Sequence, residues 1–297
     1  MAFKVPFNER PLHVTSDAVR RFLSSFSIEV MPRTAARIPD FREILPADTR
    51  VYIAHVEGTS FDDMVATAKR LVSEGFAAMP HIPARMIADE TELRHRVRRY
   101  HEEAGVDEAL VLAGGPARLV GKLHSSMQLL DTGIFEEFRF KRLHVAGHPE
   151  GNRDIDKDGS TRLVDEALLW KQDYARQSSA EMAIVTQFVF DARPVIAWAE
   201  RLALMNVTLP IHVGIAGPAK LQTLLKFAIT CGIGASANIL QKRARDMSKL
   251  FLPFQPDDLV KELAAHRAAH PDSQIQSAHF FPLGGIQAST DWIRRQI

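Results

Sequence analysis

The chain has a single cysteine, Cys231, among 297 residues, so it can build neither an internal disulfide nor a zinc site based on cysteines. It also lacks an excess of either charge: 37 basic residues against 36 acidic ones leave a formal net charge of +1. That balance points to no nucleic-acid partner and no anionic membrane surface. No apolar run approaches the roughly 18 residues of a membrane span. Residues 1–26 lack the charged-then-apolar order of a secretory signal, so a cytoplasmic location is the expectation. Repeats, low-complexity tracts and Pro/Gly/Ser-rich linkers are absent too. What is present is 46% apolar and 25% charged residues, the mixture of a globular protein with a large core. One domain over 1–297 is expected, with no C-terminal regulatory domain.

Short apolar runs alternate with longer segments of helical period almost from end to end. Strands are expected near 26–31, 51–56, 77–82, 109–113, 143–146, 183–190, 211–215 and 278–282. Several are continuous and β-branched, as in parallel strands buried on both faces. Between them, Phe61–Glu74 has apolar residues at 61, 64, 65, 68, 71 and 72. Asp89 and Thr91 precede a helix over Glu92–Ala104, and Pro218 precedes another over Ala219–Thr230. Gly75, Gly105 and Gly133 fall where helices should stop. Eight strands mostly separated by one helix predict an α/β fold, a (β/α)8 TIM barrel. The alternative is an open doubly wound sheet. The stretch from Cys231 to Gln276 is long enough for extra helices between strands 7 and 8.

In such barrels chemistry collects at the carboxyl ends of the strands. Strand one carries Glu29, a carboxylate in an apolar run that must be ion-paired, protonated or functional. After strand two, Thr59 either faces a ligand or caps the helix from Phe61, the cap being the simpler reading. His81, between Pro80 and Pro83 on strand three, reads as a rigid structural histidine or a proton carrier. Gly114-Gly115 after strand four lets backbone approach a flat ring or a phosphate closely, but is neither G-x-G-x-x-G nor a P-loop. Strand five ends in Gly147-His148-Pro149, and strand six presents Gln187, whose amide suits the edge of a heterocycle. No metal is expected: His55, His81 and His148 lack the carboxylate spacing of a zinc or iron site. No G-x-S-x-G elbow occurs, and Cys231 reads as an inert buried thiol.

Several of these stretches, in order, resemble the catalytic barrel of methylenetetrahydrofolate reductases. They are Ser27-Ile28-Glu29-Val30, Ala78-Met79-Pro80-His81, Leu112-Ala113-Gly114-Gly115, Val145 to Gly151, Val185 to Asp191, Pro210 to Phe227 and His279-Phe280-Phe281. The resemblance implies an FAD-dependent oxidoreductase of one-carbon metabolism and methionine biosynthesis. It would reduce 5,10-methylenetetrahydrofolate to 5-methyltetrahydrofolate with NADH or NADPH, by ping-pong hydride transfer through the flavin, as a homo-oligomer. Glu29 falls on the general acid that protonates folate N10, which calls for a carboxyl with a raised pKa. Thr59, His81, Gly114, Gly115, His148 and Lys171 fall at flavin-contacting positions, and Gln187 and Phe227 at folate-contacting ones. Two departures stand out: Gly115 replaces the family's usual Asp, and Gly284-Gly285 replaces Asn-Arg, leaving Lys220 or Arg243 to meet the folate's anionic tail. They keep two alternatives open, a flavin-free reductase with direct hydride transfer and a non-reductase barrel that binds folate or transfers its methyl group. An unrelated barrel lyase or hydrolase is the generic reading.

Overall fold

The computed structural model describes residues 15–115, 119–230, 240 and 253–297. Eight parallel strands close in chain order: β1 Ser27–Val30, β2 Arg50–Ile53, β3 Ala77–Pro83, β4 Glu108–Leu112, β5 Arg142–Gly147, β6 Glu181–Val189, β7 Ile211–Ala216 and β8 Ile275–Phe281. Pairing of β8 with β1, Ser27 opposite His279 and Ile28 opposite Phe280, completes the ring. The fold is therefore the expected (β/α)8 barrel, not an open sheet.

Helix boundaries follow local chemistry. The helix Phe61–Ser73 starts at Ser60, whose hydroxyl accepts from the Asp63 amide at 3.0 Å, so Ser60 and not Thr59 is its cap. Asp89 accepts from the Glu92 amide at 2.9 Å and starts Glu90–Ala104, which stops at left-handed Gly105. The helix expected from Ala219 begins at Leu221, because the Ala219 backbone is engaged with Phe254 in an antiparallel bridge. Between β7 and β8 the chain then carries a further helix, Asp257–Ala269, packed on Ser16–Leu23 and Ala192–Leu204. Cys231 and Arg243 lie outside the described residues. Among those described, no helix is long and apolar enough to cross a membrane.

The apolar core has a larger part and two smaller ones, one of which joins Phe188 and Phe190 to Ala216, Leu224 and Phe254. The larger lies between the barrel's outer face and the helices, where Ile28, Val51, Ile53, Val111, Val145 and Ile184 meet Leu71, Val97, Leu168 and Leu202, all essentially inaccessible. Inside the barrel only Tyr52, Met79, Leu110 and Val185 form a buried apolar group. Polar side chains fill much of the rest. At the amino-terminal end Glu108 receives Arg50 Nε at 2.5 Å and Arg142 Nη1 at 2.8 Å, tying β2, β4 and β5 together. At the other end the polar residues assemble a site.

Candidate active site

Alternation along a strand sends every second residue into the lumen. By that rule β1 presents Ser27 and Glu29, β2 Tyr52, β5 His144, β7 His212, and β8 His279. Contacts across the barrel agree. The Tyr52 hydroxyl is hydrogen-bonded to His144 Nδ1, the His144 and His212 rings meet edge to face at 4.9 Å, and the Tyr52 and His279 rings lie 4.3 Å apart. Ser27 Oγ is hydrogen-bonded to His279 Nδ1 at 2.9 Å, which leaves His279 Nε2 facing Glu29 Oε2 at 3.9 Å. From β3, His81 Nε2 approaches the same oxygen to 3.2 Å, within ion-pair distance but off the line of a hydrogen bond. The Glu29 side chain retains 18% exposure, and its open side is a cavity.

Burial acts to raise the Glu29 carboxyl, but the imidazoles of His279 and His81 outweigh it and hold the group down at about 2. This reverses the raised carboxyl expected of a general acid in an apolar strand end. The lumen is apolar around the strand but lined with ring nitrogens, and those favour the carboxylate. Glu29 is thus an ionised group paired with histidines, not the Lys or Arg of the simple ion-pair reading.

The deeper histidines behave oppositely. Burial lowers His144 well below the usual imidazole value, and lowers His212 to about 3, helped by the charge of Arg50. His148 drops to about 4, from burial and the neighbouring Lys171 charge. In the unfolded chain these groups take up protons near 6.5, so the unfolded state binds more protons as pH falls. The stability linked to these neutral histidines is therefore complete above pH 6.5 and is lost progressively as pH falls toward 3. Glu29 adds stability that is lost only below about 4.5. Urea midpoints measured from pH 8 to 5 are expected to decline, starting near 6.5. A flat profile over that range would contradict the buried neutral histidines.

The cavity at the barrel mouth measures about 630 Å³. Of the expected site residues it gathers Glu29, His81, Gly114, Gly115, His148 and Gln187. Gln187 is aimed there by an irregularity: the β6–β7 register shifts between Val185 and Phe188, as in a β-bulge. The Thr186 hydroxyl takes up the interrupted ladder by accepting from the Gly214 amide at 2.8 Å. A side chain at 214 would collide with the Thr186 carbonyl at 2.5 Å, so the bulge requires glycine opposite it. Gln187 Oε1 accepts from the Phe188 amide at 3.1 Å, which leaves its NH2 group to donate.

Three expected residues stand elsewhere. Thr59 lines a separate groove between Pro32–Ala35 and Phe61–Ser73. Phe227 lies 36% exposed outside the cavity lining, and its neighbour Ile229 reaches the rim instead. Lys171 is buried behind β5 in the helix Arg162–Gln177, its Nζ 3.5 Å from the Ala146 carbonyl, and burial lowers its pKa to about 8. Gly284 and Gly285 also find a structural reason. A Cβ at 284 would sit 2.1 Å from the Pro218 carbonyl, and φ is +106° at 285, so the loop after β8 excludes an Asn-Arg pair in this path. Lys220 is exposed and outside the cavity lining. Among the described residues no cluster of three or more His, Cys, Asp or Glu is placed to hold a metal.

No family model matches the chain. Among solved structures, a Clostridium thermocellum protein that binds two copies of 5-methyl-5,6,7,8-tetrahydrofolic acid is similar over 95% of this chain and 98% of its own, at TM-score 0.59 and 12% identity. That likeness shows the fold. A Yersinia pestis DHPS solved with a pterine-sulfa conjugate aligns over 94% and 93% of the two chains, at 12% identity, but its TM-score of 0.44 carries no argument.

His279 was seen in the sequence only as part of the last strand, although Ser277 and His279 already show the alternation of a lumen-facing pair. Tyr52, His144 and His212 carried the same signal.

Proposed function

We propose that the mouth cavity binds a reduced folate and that the protein reduces its one-carbon unit, converting 5,10-methylenetetrahydrofolate to 5-methyltetrahydrofolate with hydride from NADH or NADPH. The observation that carries this reading is Glu29 with His81 and His279 in a cavity that also presents the Gln187 amide. The Gln187 NH2 would donate to a pterin ring acceptor, fixing the ring in the cavity. Opening of the folate's imidazolidine ring needs a proton at N10. With Glu29 ionised, that proton would be delivered by way of His81, whose Nε2 stands 3.2 Å from Oε2 and which lines the same cavity. His279, oriented by Ser27, would keep Glu29 in place beneath the reacting nitrogen. The similarity to a barrel that binds 5-methyltetrahydrofolate supports the ligand class.

FAD would add a two-electron carrier. Gly114, Gly115 and His148 lie where a flat ring could rest, but Thr59 and Lys171 are outside the cavity. Of the expected flavin contacts, the cavity thus gathers those suited to the flat ring while Thr59 and Lys171 stand elsewhere, and the proton-handling steps above require no flavin.

The test is NADH or NADPH oxidation by the purified protein, with product analysis for 5-methyltetrahydrofolate. Turnover dependent on 5,10-methylenetetrahydrofolate is the expected result. Tight binding of 5-methyltetrahydrofolate without any turnover would instead identify a non-reductase folate barrel. That second reading is favoured by one observation, the low Glu29 pKa, since a binding protein has no use for a proton donor.

A further inference from the structure

Half of the described arginines are paired with carboxylates, among them Arg50 and Arg142 with Glu108, Arg70 with Glu74, and Arg99 with Asp62 and Glu103. Arg85 differs. It lies in the short turn Ala84–Met86 that follows β3, half-buried, and it lines the mouth cavity. Its backbone is fixed on both sides, the amide donating to the Ala113 carbonyl at 2.9 Å and the carbonyl accepting from the Val120 amide at 3.0 Å. Its guanidinium makes one long hydrogen bond, Nη1 to the Gly114 carbonyl at 3.4 Å, and has no carboxylate partner among the described residues. A guanidinium has five N–H donors in a planar fork, so most of its capacity remains for a ligand.

Its surroundings favour an anion. Next to the carbonyl it touches is Gly115, where a Cβ would meet nothing within 4 Å, so space is open on that ledge. The nearest wall of the cavity, Leu112 to Gly115, carries no acid. The acids of the lining belong to other segments: Glu29 is on the β1 side and faces two imidazoles, and Glu150 and Asp154 follow β5. A guanidinium in a half-buried cleft without a paired carboxylate gains from a ligand that supplies the counter-charge.

We infer that Arg85 is the anion-recognition residue of the mouth cavity, receiving a carboxylate or phosphate of the ligand in a forked contact over the Gly114-Gly115 ledge. The assignment rests on the cavity being the ligand site of the proposed function, and it names where that ligand's charged end lies. The same chemistry has two sources, the glutamate carboxylates of a folate and the phosphate of a nucleotide cofactor.

The experiment compares wild type, Arg85→Gln and Arg85→Lys by equilibrium titration with two matched pairs. One pair is 5-methyltetrahydrofolate and 6-methyltetrahydropterin, which share a ring but differ in the anionic tail. The other is FMN and riboflavin, which differ by a phosphate. Arg85→Gln is expected to weaken one anionic member about tenfold or more, the range of a lost charged hydrogen bond, and to leave its neutral partner unchanged. Arg85→Lys should recover part of the loss, because it keeps charge without the fork. Weakened folate assigns a carboxylate and weakened FMN a phosphate. Equal weakening within both pairs would overturn the assignment as a general deformation of the cavity. Unchanged affinity for all four would overturn Arg85 alone, while wild-type protein that binds neither folate nor FMN would overturn it together with the reading beneath it.

Discussion

Glu29→Gln is expected to lower kcat/KM for 5,10-methylenetetrahydrofolate reduction by about 10²–10⁴-fold, the usual contribution of a positioned acid–base group. The substitution keeps the shape of the side chain and removes its charge. Without that charge, His81 at 3.2 Å and His279 at 3.9 Å no longer face a carboxylate. Affinity for 5-methyltetrahydrofolate should change far less than turnover, because the product needs no proton from the pair. NADH oxidation by an artificial acceptor, where wild type supports it, should persist. Rates within twofold of wild type in folate reduction would remove Glu29 from the mechanism. The pH profile supplies an independent check. A carboxyl held at about 2 stays ionised across the working range, so no limb near pH 4–5 should be traceable to Glu29.

The second large effect is expected at the opposite end of the barrel and concerns stability. Glu108→Ala should cost about 2–3 kcal/mol, at or below the low end of the range for breaking a fully buried ion pair, since Arg142 remains partly hydrated and keeps Glu181. The Glu108 side chain is 8% exposed and is shared by Arg50, at 20%, and Arg142, at 35%. Burial alone would raise its carboxyl, and the two guanidiniums outweigh that and hold it low. Removing it leaves Arg50 without its carboxylate, while Arg142 keeps Glu181. Denaturant titration with an unchanged m-value is the appropriate measurement. A loss below about 1 kcal/mol would mean that the triad is solvated like an ordinary surface pair. Because the site lies at the other end of the strands, ligand affinity should survive in the folded fraction.

The barrel itself was legible because its signals are local and repeated. Every expected strand is present, within a few residues at each end, and the caps at Asp89 and Gly105 fall where side-chain chemistry requires them. Ser60 displaced Thr59 by one position because two adjacent hydroxyl residues compete for one amide, and sequence does not say which reaches it. The site was legible in proportion to how far strand order determines it. Glu29, His81 and Gln187 project from strand ends, so placing the strands placed the residues. Lys171 is set by the rotation of a helix, and Phe227 by a helix at the start of a long connection, where a shift of one or two residues changes the face presented. The Glu29 pKa could not be read at all. Its direction depends on His279, about 250 positions away in sequence and brought alongside only by closure of β8 onto β1. Arg85 is obscure in the sequence for a similar reason: what marks it is a half-buried place on the cavity wall beside Gly114, which depends on how β3 and β4 come together.

The division of the interior into an outer apolar envelope and a polar lumen has a consequence for how such a protein can change over generations. Packing between strands and helices constrains residues such as Ile28, Val51 and Val145 by size and hydrophobicity alone, and many sequences satisfy those demands. The lumen residues Tyr52, His144, His212 and His279 contact one another across the barrel and contribute little to that envelope. Each set can therefore drift on its own schedule, the envelope by interchange of similar apolar side chains and the lumen by coordinated replacement of polar groups.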